Sequence, residues 1–342
     1  MSTGPTTTLL TNIAEQPSAP SGRRIAATSP LGSFIARRIL RLWWSVVALV
    51  TMAFLMVRLI PGDPVRNALG TNATPAIVEA RRQSLGLNDP IWLQYFNFWK
   101  GLLTWNLGDS FSLRMPVSTI IEQRLPATLE LAFLSLAVVL VVSVPLGIVI
   151  AALTRGGRRR GLDLAFTSVT GLLTVVPEFL IGVGLVYLFA VQSQLLPVAG
   201  RGDASSYILP VLALSIGVSA GMSRIVRVEA LTVFEQDYIR TARAKRMTPL
   251  RMYLRHALPN LLTASLTIGG IVLGSLIAGT VLVETIFSWP GLGLTIIDSV
   301  RSKDYPLAQG IVIVYGLIVL ISNLLIDIIL VSLDPRTALK DT

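Results

Sequence analysis

Two acidic residues, Glu178 and Asp327, interrupt stretches of sequence that are otherwise apolar. A charged side chain at the centre of a bilayer costs about 3 kcal/mol or more, so such a residue usually has a function or a partner. Glu178 follows Pro177 near the middle of its stretch. We expect Pro177 and Glu178 to line a translocation path, where the Glu178 carboxylate would meet a substrate amino group. The alternative is that Glu178 pairs with, or caps, a broken helix. Asp327 is expected to have a structural partner or an interfacial position.

Other residues offer less chemistry. Glu130 and Glu284 lie near the ends of apolar stretches and are expected to be exposed to water. The chain has no cysteine, which excludes disulfides, thiol nucleophiles and cysteine metal sites, and its one histidine, His256, is a poor basis for a metal centre. We therefore predict no catalytic, cofactor-binding or metal-binding residues.

A Gly-x-Ser-x-Gly sequence at Gly217, Ser219 and Gly221 matches the motif that carries a hydrolase nucleophile. That motif requires a strand, a sharp turn and a helix, whereas here it lies inside an apolar stretch. The same glycines read as Gly-x-x-x-Gly, which lets helices approach closely, and Gly270 and Gly274 repeat the spacing. Helix packing is therefore the preferred interpretation of Gly217, Ser219, Gly221, Gly270 and Gly274.

The composition indicates a membrane protein. Of 342 residues, 52% are hydrophobic and 14% charged, against about 25% charged in soluble domains, and the mean hydropathy is +0.68. Several stretches approach the roughly 20 apolar residues that cross a bilayer. The net charge of +10 is explained by basic residues flanking membrane helices, so no nucleic-acid partner is expected.

These stretches predict an all-α polytopic membrane protein with six transmembrane helices. Most of the 29 Lys and Arg residues fall on the side that holds the termini, so the positive-inside rule places both termini in the cytoplasm. The predicted division is a disordered cytoplasmic tail (1–32), a first span (33–60), an extracytoplasmic segment with short amphipathic helices or a small cap (61–125), and a core with spans two to six (126–342). The later spans are predicted at Leu129–Leu153, Leu164–Val191 with a break at Pro177, Tyr207–Met222, Leu261–Val283 and Leu307–Leu333.

A basic cytoplasmic segment, about 224–260, carries the strongest functional signal. Asp237 to Lys245 is rich in helix formers, and Thr248 with Pro249 is a typical start of a second helix. The pattern predicts a helix, a tight turn and a helix between two membrane spans. Such a pair could fit a groove on a soluble partner and move with it.

This segment resembles the coupling loop of ABC importer permeases, in which Glu-Ala-Ala is followed by Gly and then by Ile-x-Leu-Pro. Arg240–Ala242 stand at the first element, Arg246 at the Gly and His256–Pro259 at the last. The form of the segment is similar to the peptide/nickel branch, and the long loop after the first span is similar to the first-subunit type of the heteromeric pair. Further matches to that branch are Arg37–Leu40, Ile60–Val65, Leu85–Pro90, Leu107–Ser110, Arg124–Glu130, Glu284–Gly293, Asp304–Pro306 and Leu333–Arg336.

The resemblance implies a type I ABC importer permease in the bacterial cytoplasmic membrane, not itself an enzyme. Implied partners are a second homologous permease subunit, two ATPase subunits or domains that hold ATP and Mg, an extracytoplasmic substrate-binding protein, a di- or oligopeptide substrate and membrane lipid. The same scaffold could carry nickel, glutathione or haem, and a stand-alone secondary transporter is a further alternative. The coupling residues implied are Arg240, Thr241, Ala242, Arg243, Ala244, Lys245, Arg246, His256, Leu258 and Pro259.

One departure from the family pattern is Arg246, which replaces the usual Gly. If the turn needs a left-handed residue, a side chain there costs on the order of 1 kcal/mol. Either the turn differs in this chain or Arg246 tolerates the strain, and we hypothesise that Arg246 also contacts the ATPase.

Overall fold

The computed structural model describes residues 30–59, 65–66, 74–84 and 86–333. The predicted tail therefore lies outside the described residues, except that 30–32 belong to the first helix. Within the described part the chain is built from helices. They are α1 (Pro30–Leu59), α2 (Pro75–Ser84), α3 (Ile91–Leu103), α4 (Val117–Thr154), α5 (Arg160–Val175), α6 (Glu178–Leu185, extended by a π-helical turn Val186–Gln192), α7 (Ile208–Glu235), α8 (Asp237–Ala244), α9 (Pro249–Met252), α10 (Leu258–Ile286), α11 (Leu292–Arg301) and α12 (Tyr305–Leu333).

The helices confirm the predicted class of fold. In the described part of the chain, five helices are long and apolar enough to cross a membrane, and α5 and α6 together make a sixth candidate that is bent by 95° at a short break. The break falls at Pro177, which precedes the first residue of α6. Proline has no N–H to donate and disfavours helical geometry in the residue before it, so the helix ends at this point.

Two spans are longer than the hydropathy pattern predicts. α4 begins at Val117 rather than Leu129, so the end of the predicted extracytoplasmic segment is helical. α7 continues past Met222 to Glu235 and carries the chain beyond the apolar stretch. In both cases the polar turns lie outside the membrane stretch, where hydropathy cannot distinguish helix from loop.

Close helix approaches hold the bundle together. α4 and α7 make the most extensive contact, and a Cβ added to Gly147 of α4 would lie 2.7 Å from the Val226 side chain. α10 packs on α12 in the same way, since a Cβ at Gly270 would overlap Ile326 and one at Gly274 would lie 3.4 Å from Val319. These approaches leave little room between backbones.

The extracytoplasmic helix α3 packs on the outer end of α1 through aromatic rings. The rings of Phe54 and Tyr95 lie 5.1 Å apart, edge to face, and the Tyr95 hydroxyl is 2.8 Å from that of Thr51. Phe98 also contacts Phe54. The opposite face of α3 leaves Trp92 exposed, as in an interfacial anchor.

Candidate coupling segment, polar clusters and translocation path

The coupling segment is anchored to the bundle by apolar side chains. Ile239 and Ala242 of α8 are buried, as are Met252 and Ala257 further along the segment. They form one cluster with side chains of α4, α7 and the start of α10. The members from the bundle include Val144, Ile148, Met222, Val226, Phe234 and Leu261.

The opposite face of α8 is exposed and basic. Of the predicted coupling residues, Arg240, Thr241, Arg243, Ala244, Lys245 and Arg246 are all exposed. Arg240 lies 3.3 Å from Asp237 one turn earlier, but both side chains are well solvated, so that pair adds little to stability. The face is therefore available to another molecule.

The turn after α8 is left-handed, so of the two alternatives the structure shows that Arg246 tolerates the strain. Arg246 has a φ of +53°. Its N–H donates to the Arg243 carbonyl at 2.9 Å, and the Met247 N–H donates to the Ala242 carbonyl at 3.3 Å. These two bonds form a Schellman motif, which normally has Gly at the left-handed position. Arg246 therefore adopts the strained conformation at this turn.

The second half of the segment differs from a simple helix pair. α9 begins at Pro249 but lasts only one turn, and a π-helical turn, Tyr253–Ala257, joins it to α10. His256 and Leu258 are half-buried in this connection. The side chain of Pro259 lies outside the described residues. Because the helical path is continuous, a displacement of α9 would be transmitted directly to the membrane helix α10.

The predicted translocation residues lie at the break of the third span. Pro177 is exposed and Glu178, the first residue of α6, is half-buried. The Glu178 carboxylate lies against Gly279 of α10, where an added Cβ would come within 2.8 Å of Oε1. Among the described residues, no side chain donates a hydrogen bond or forms an ion pair to this carboxylate. A half-buried acid without a partner can accept a cation.

Glu284 is buried, so the prediction that it is exposed to water was wrong. Its carboxylate accepts hydrogen bonds from the Thr128 hydroxyl at 2.7 Å and from the N–H groups of Gly293 and Leu294 at 2.6 and 3.1 Å. Thr128 also accepts the Leu292 N–H at 2.8 Å. The carboxylate therefore caps the start of α11 and ties it to α4 and α10, with its negative charge at the helix N-terminus.

Trp289 closes the tight turn between α10 and α11. It is fully buried, its indole N–H donates to the Ala127 carbonyl at 3.0 Å, and its ring meets Tyr207 edge to face at 4.7 Å. Tyr207 and Arg201 in turn donate to Glu130 at 2.9 and 3.0 Å. Glu130 is about one-third exposed and is thus partly solvated, in line with expectation.

Asp304 forms a second buried cluster, which the sequence did not single out as a site. Its Oδ2 accepts the hydroxyls of Ser110 and Ser112 at 2.5 and 2.6 Å and the Ser112 N–H at 3.0 Å. Burial opposes ionisation, but these hydrogen bonds outweigh it and lower the pKa of Asp304. The sequence did contain a signal for this cluster, because both Leu107–Ser110 and Asp304–Pro306 match the family pattern.

Asp327 has the partner that was expected. It lies 2.9 Å from Arg38 of α1 in a partly exposed ion pair. The pair joins the first and last spans near the cytoplasmic side, as the topology predicts. Its partial exposure makes it a modest contributor to stability.

The glycines of the Gly-x-Ser-x-Gly sequence face α5. A Cβ added to Gly217 would lie 3.1 Å from the Leu173 carbonyl oxygen, and one at Gly221 would lie 3.6 Å from Thr174. The Ser219 hydroxyl is buried without a hydrogen-bond partner. This arrangement is close helix packing, and the motif lacks the strand and sharp turn of a nucleophile elbow.

The bundle and its exposed basic segment define a helical membrane subunit. Comparison with known proteins gives the family. The model for "Binding-protein-dependent transport system inner membrane component" matches residues 143–339, and that for its N-terminal region matches 31–132. The chain belongs to this family. It is a multi-pass permease subunit of the bacterial inner membrane that works with ATPase and substrate-binding components.

Curated relatives cover most of the chain. A probable peptide ABC transporter permease from Sinorhizobium fredii is 38% identical, and a glutathione transport system permease from Pectobacterium atrosepticum is 36% identical; each match covers 90% of this chain and 99% of the relative. A probable D,D-dipeptide permease from Escherichia coli is 34% identical over 86% of this chain and 95% of its own. Inward-facing structures of the MetNI methionine ABC transporter share the fold, with a TM-score of 0.55 at 17% identity over 63% of this chain and 96% of the other.

Proposed function

We propose that this chain forms half of the transmembrane pore of an ATP-driven importer for di- and oligopeptides. The observation that carries the proposal is the coupling segment, whose apolar face is buried in the bundle and whose basic face is exposed. Relatives that match over nearly their whole length are named as peptide, dipeptide and glutathione permeases, and glutathione is itself a tripeptide. A peptide is therefore the substrate class that the relatives favour over nickel or haem.

The proposed assembly contains a second homologous permease, two ATPase subunits or domains, and an extracytoplasmic substrate-binding protein. ATP and Mg would be held by the ATPases, since this chain lacks a Gly-x-x-x-x-Gly-Lys-Ser/Thr sequence. The ATPases would press on the coupling residues from Arg240 to Arg246, and the path from α9 into α10 would carry the movement into the membrane. The pore would then alternate between inward and outward access.

Within that pore, Glu178 is the proposed contact for a peptide amino group. The carboxylate has no cationic partner among the described residues, and it sits where the third span breaks. A protonated amino terminus would supply the missing charge. Glu178→Gln, which keeps the size of the side chain, should slow peptide uptake while ATP hydrolysis without substrate is retained.

The assembly is tested by isolating the detergent-solubilised complex through a tag on this chain and identifying its members by mass spectrometry. A second permease and Walker-A ATPases should be recovered. Arg243→Gln with Arg246→Gln should release the ATPases, while the matched pair Arg114→Gln and Arg301→Gln, on the extracytoplasmic side, should not. Recovery of this chain alone, with uptake in liposomes that lack any ATPase, would instead establish a stand-alone transporter.

The substrate is tested separately, by uptake into proteoliposomes that contain the whole complex and its binding protein. Labelled dipeptides, longer peptides and glutathione are compared, with nickel as the competing cargo. Saturable, ATP-dependent peptide uptake is expected. Uptake of nickel without peptide uptake would overturn the substrate assignment and leave the importer assignment intact.

A further inference from the structure

An apolar groove of about 530 Å³ lies between α4, α5 and α7. Its few polar groups are hydroxyls, and those of Thr170 and Ser215 donate to backbone carbonyls of the bundle. The Ser219 hydroxyl has no partner. The walls include Val138, Leu146, Phe166, Val169, Leu212 and Ile216.

The groove extends over one leaflet of the membrane. Its lining on α4 runs from Val138 to Ile150, about 18 Å at 1.5 Å per residue. The hydrocarbon of one leaflet is about 15 Å thick, half of the bilayer core. Since α4 ends at Thr154 and α5 begins at Arg160, the groove starts at the cytoplasmic surface and ends near the middle of the bilayer.

A cluster of arginines lies at the cytoplasmic mouth of the groove. Arg158, Arg159 and Arg160 are exposed, and none of them has a side-chain hydrogen bond or ion pair to another described residue. The acid that follows them, Asp163, is already paired with Arg227 of α7. The three guanidinium groups are therefore free to bind an anion, one helical turn from Leu162 in the groove wall.

We propose that an anionic phospholipid of the inner leaflet binds here, with an acyl chain in the groove and its phosphate on Arg158–Arg160. The ligand that fits must be apolar over the thickness of one leaflet and negatively charged at the cytoplasmic surface. Basic pockets between membrane helices are known to bind anionic lipid headgroups. A helix of another permease subunit is a worse match, because it would need a surface that crosses both leaflets. The site is independent of the substrate that the pore carries.

The experiment uses the whole complex in nanodiscs of phosphatidylcholine with or without phosphatidylglycerol. After mild detergent extraction, native mass spectrometry counts the retained lipids by class. The wild-type complex should keep phosphatidylglycerol. Arg158→Gln with Arg160→Gln should weaken its retention about 30-fold, at about tenfold per 1.4 kcal/mol and about 1 kcal/mol for each basic residue. The matched control is again Arg114→Gln with Arg301→Gln, which removes as much charge from the other side.

The acyl site is tested by filling the groove. Ala165→Trp places a ring in the groove and should expel the retained lipid, whereas Leu164→Trp, one residue away and 69% exposed, should not. A photo-crosslinking amino acid at Val142 then identifies the occupant. Cross-linking to lipid supports the site; cross-linking to the second permease, or equal retention of phosphatidylglycerol in every variant, would overturn it.

Discussion

The two ends of the helix bundle are held together by different forces. At the extracytoplasmic end, Glu284 and Asp304 are fully buried, and each accepts hydrogen bonds from groups distant along the chain. At the cytoplasmic end, Ile239 and Ala242 are buried in an apolar cluster, while the charges of α8 stay in solvent. At the outer end the carboxylates are therefore satisfied within the chain, whereas at the inner end the charges of α8 remain exposed.

This difference bears on how each end can move. A buried carboxylate that accepts several bonds is costly to separate from its donors, because every donor left behind is unsatisfied. An apolar contact is not directional and can slide. The outer clusters should therefore open as units, whereas α8 and α9 can shift on the bundle in small steps.

Removing the Glu284 carboxylate should have the largest effect on stability. Glu284→Ala leaves the Thr128 hydroxyl and the N–H groups of Gly293 and Leu294 without an acceptor, at about 1–3 kcal/mol each, so a total loss of about 4 kcal/mol is expected. The thermal unfolding midpoint of the purified complex measures it. Glu235→Ala, on an exposed residue, is the control; an equal midpoint for both variants would show that the buried cluster does not stabilise the outer end.

Truncating the apolar anchor should cost somewhat less. Ile239→Ala removes a fully buried side chain from the cytoplasmic cluster, and such changes cost about 3 kcal/mol. The coupling segment should loosen, so that hydrogen exchange rises in α8 and α9 but not in α11. Val228→Ala, at a site that is 57% exposed, serves for comparison. Exchange that rises equally at both ends would contradict the separation of the two regions.

Asp304→Asn should destabilise the outer end by about 2 kcal/mol, since charged acceptors make the stronger hydrogen bonds. The lowered pKa of Asp304 gives the sign of the pH dependence. Its contribution is complete above the unfolded pKa, about 3.9, and is lost as the pH falls through the lower folded pKa. The wild type and the variant should therefore differ most near neutral pH and converge in acid, while Asp298→Asn, on an exposed residue, should match the wild type throughout.

Replacing Arg246 should have the smallest effect on stability, and in the opposite direction. Arg246→Gly relieves a left-handed side chain and should stabilise the isolated subunit by about 1 kcal/mol. It also removes a charge that we propose contacts the ATPase, so coupling of ATP hydrolysis to uptake should fall. Arg246→Lys should preserve much of that coupling. If Arg246→Gly couples as well as the wild type, the arginine has no role at the ATPase.

The sequence predicted the helices better than it predicted what the acidic residues do. The apolar stretches placed every span, and Pro177 marked the break in the third, because both signals are local. Glu284 was misjudged because its donors are either distant in sequence, as Thr128 is, or reach it only through the tight turn at Trp289, as Gly293 and Leu294 do. Asp304 was not recognised because Ser110 lies 194 residues away along the chain.

The coupling segment shows the same limit of prediction from local sequence signals. The register of the family pattern pointed to Arg246 but left open whether the turn is left-handed there, and the structure shows that it is. The burial of Ile239 beside exposed Arg240 fits the amphipathic pattern of α8, but the hydropathy pattern does not say that this face meets α4 and α7.

Trp289 gives the outer end an optical property. It is the one fully buried tryptophan among the six of this chain, all of which lie in the described residues, and it contacts both Ala127 and Tyr207 at the turn between α10 and α11. Any movement that separates α4 from that turn would bring water to the indole and shift its emission to longer wavelength. With the other five tryptophans replaced by phenylalanine, the subunit would carry its own fluorescent reporter of outward opening.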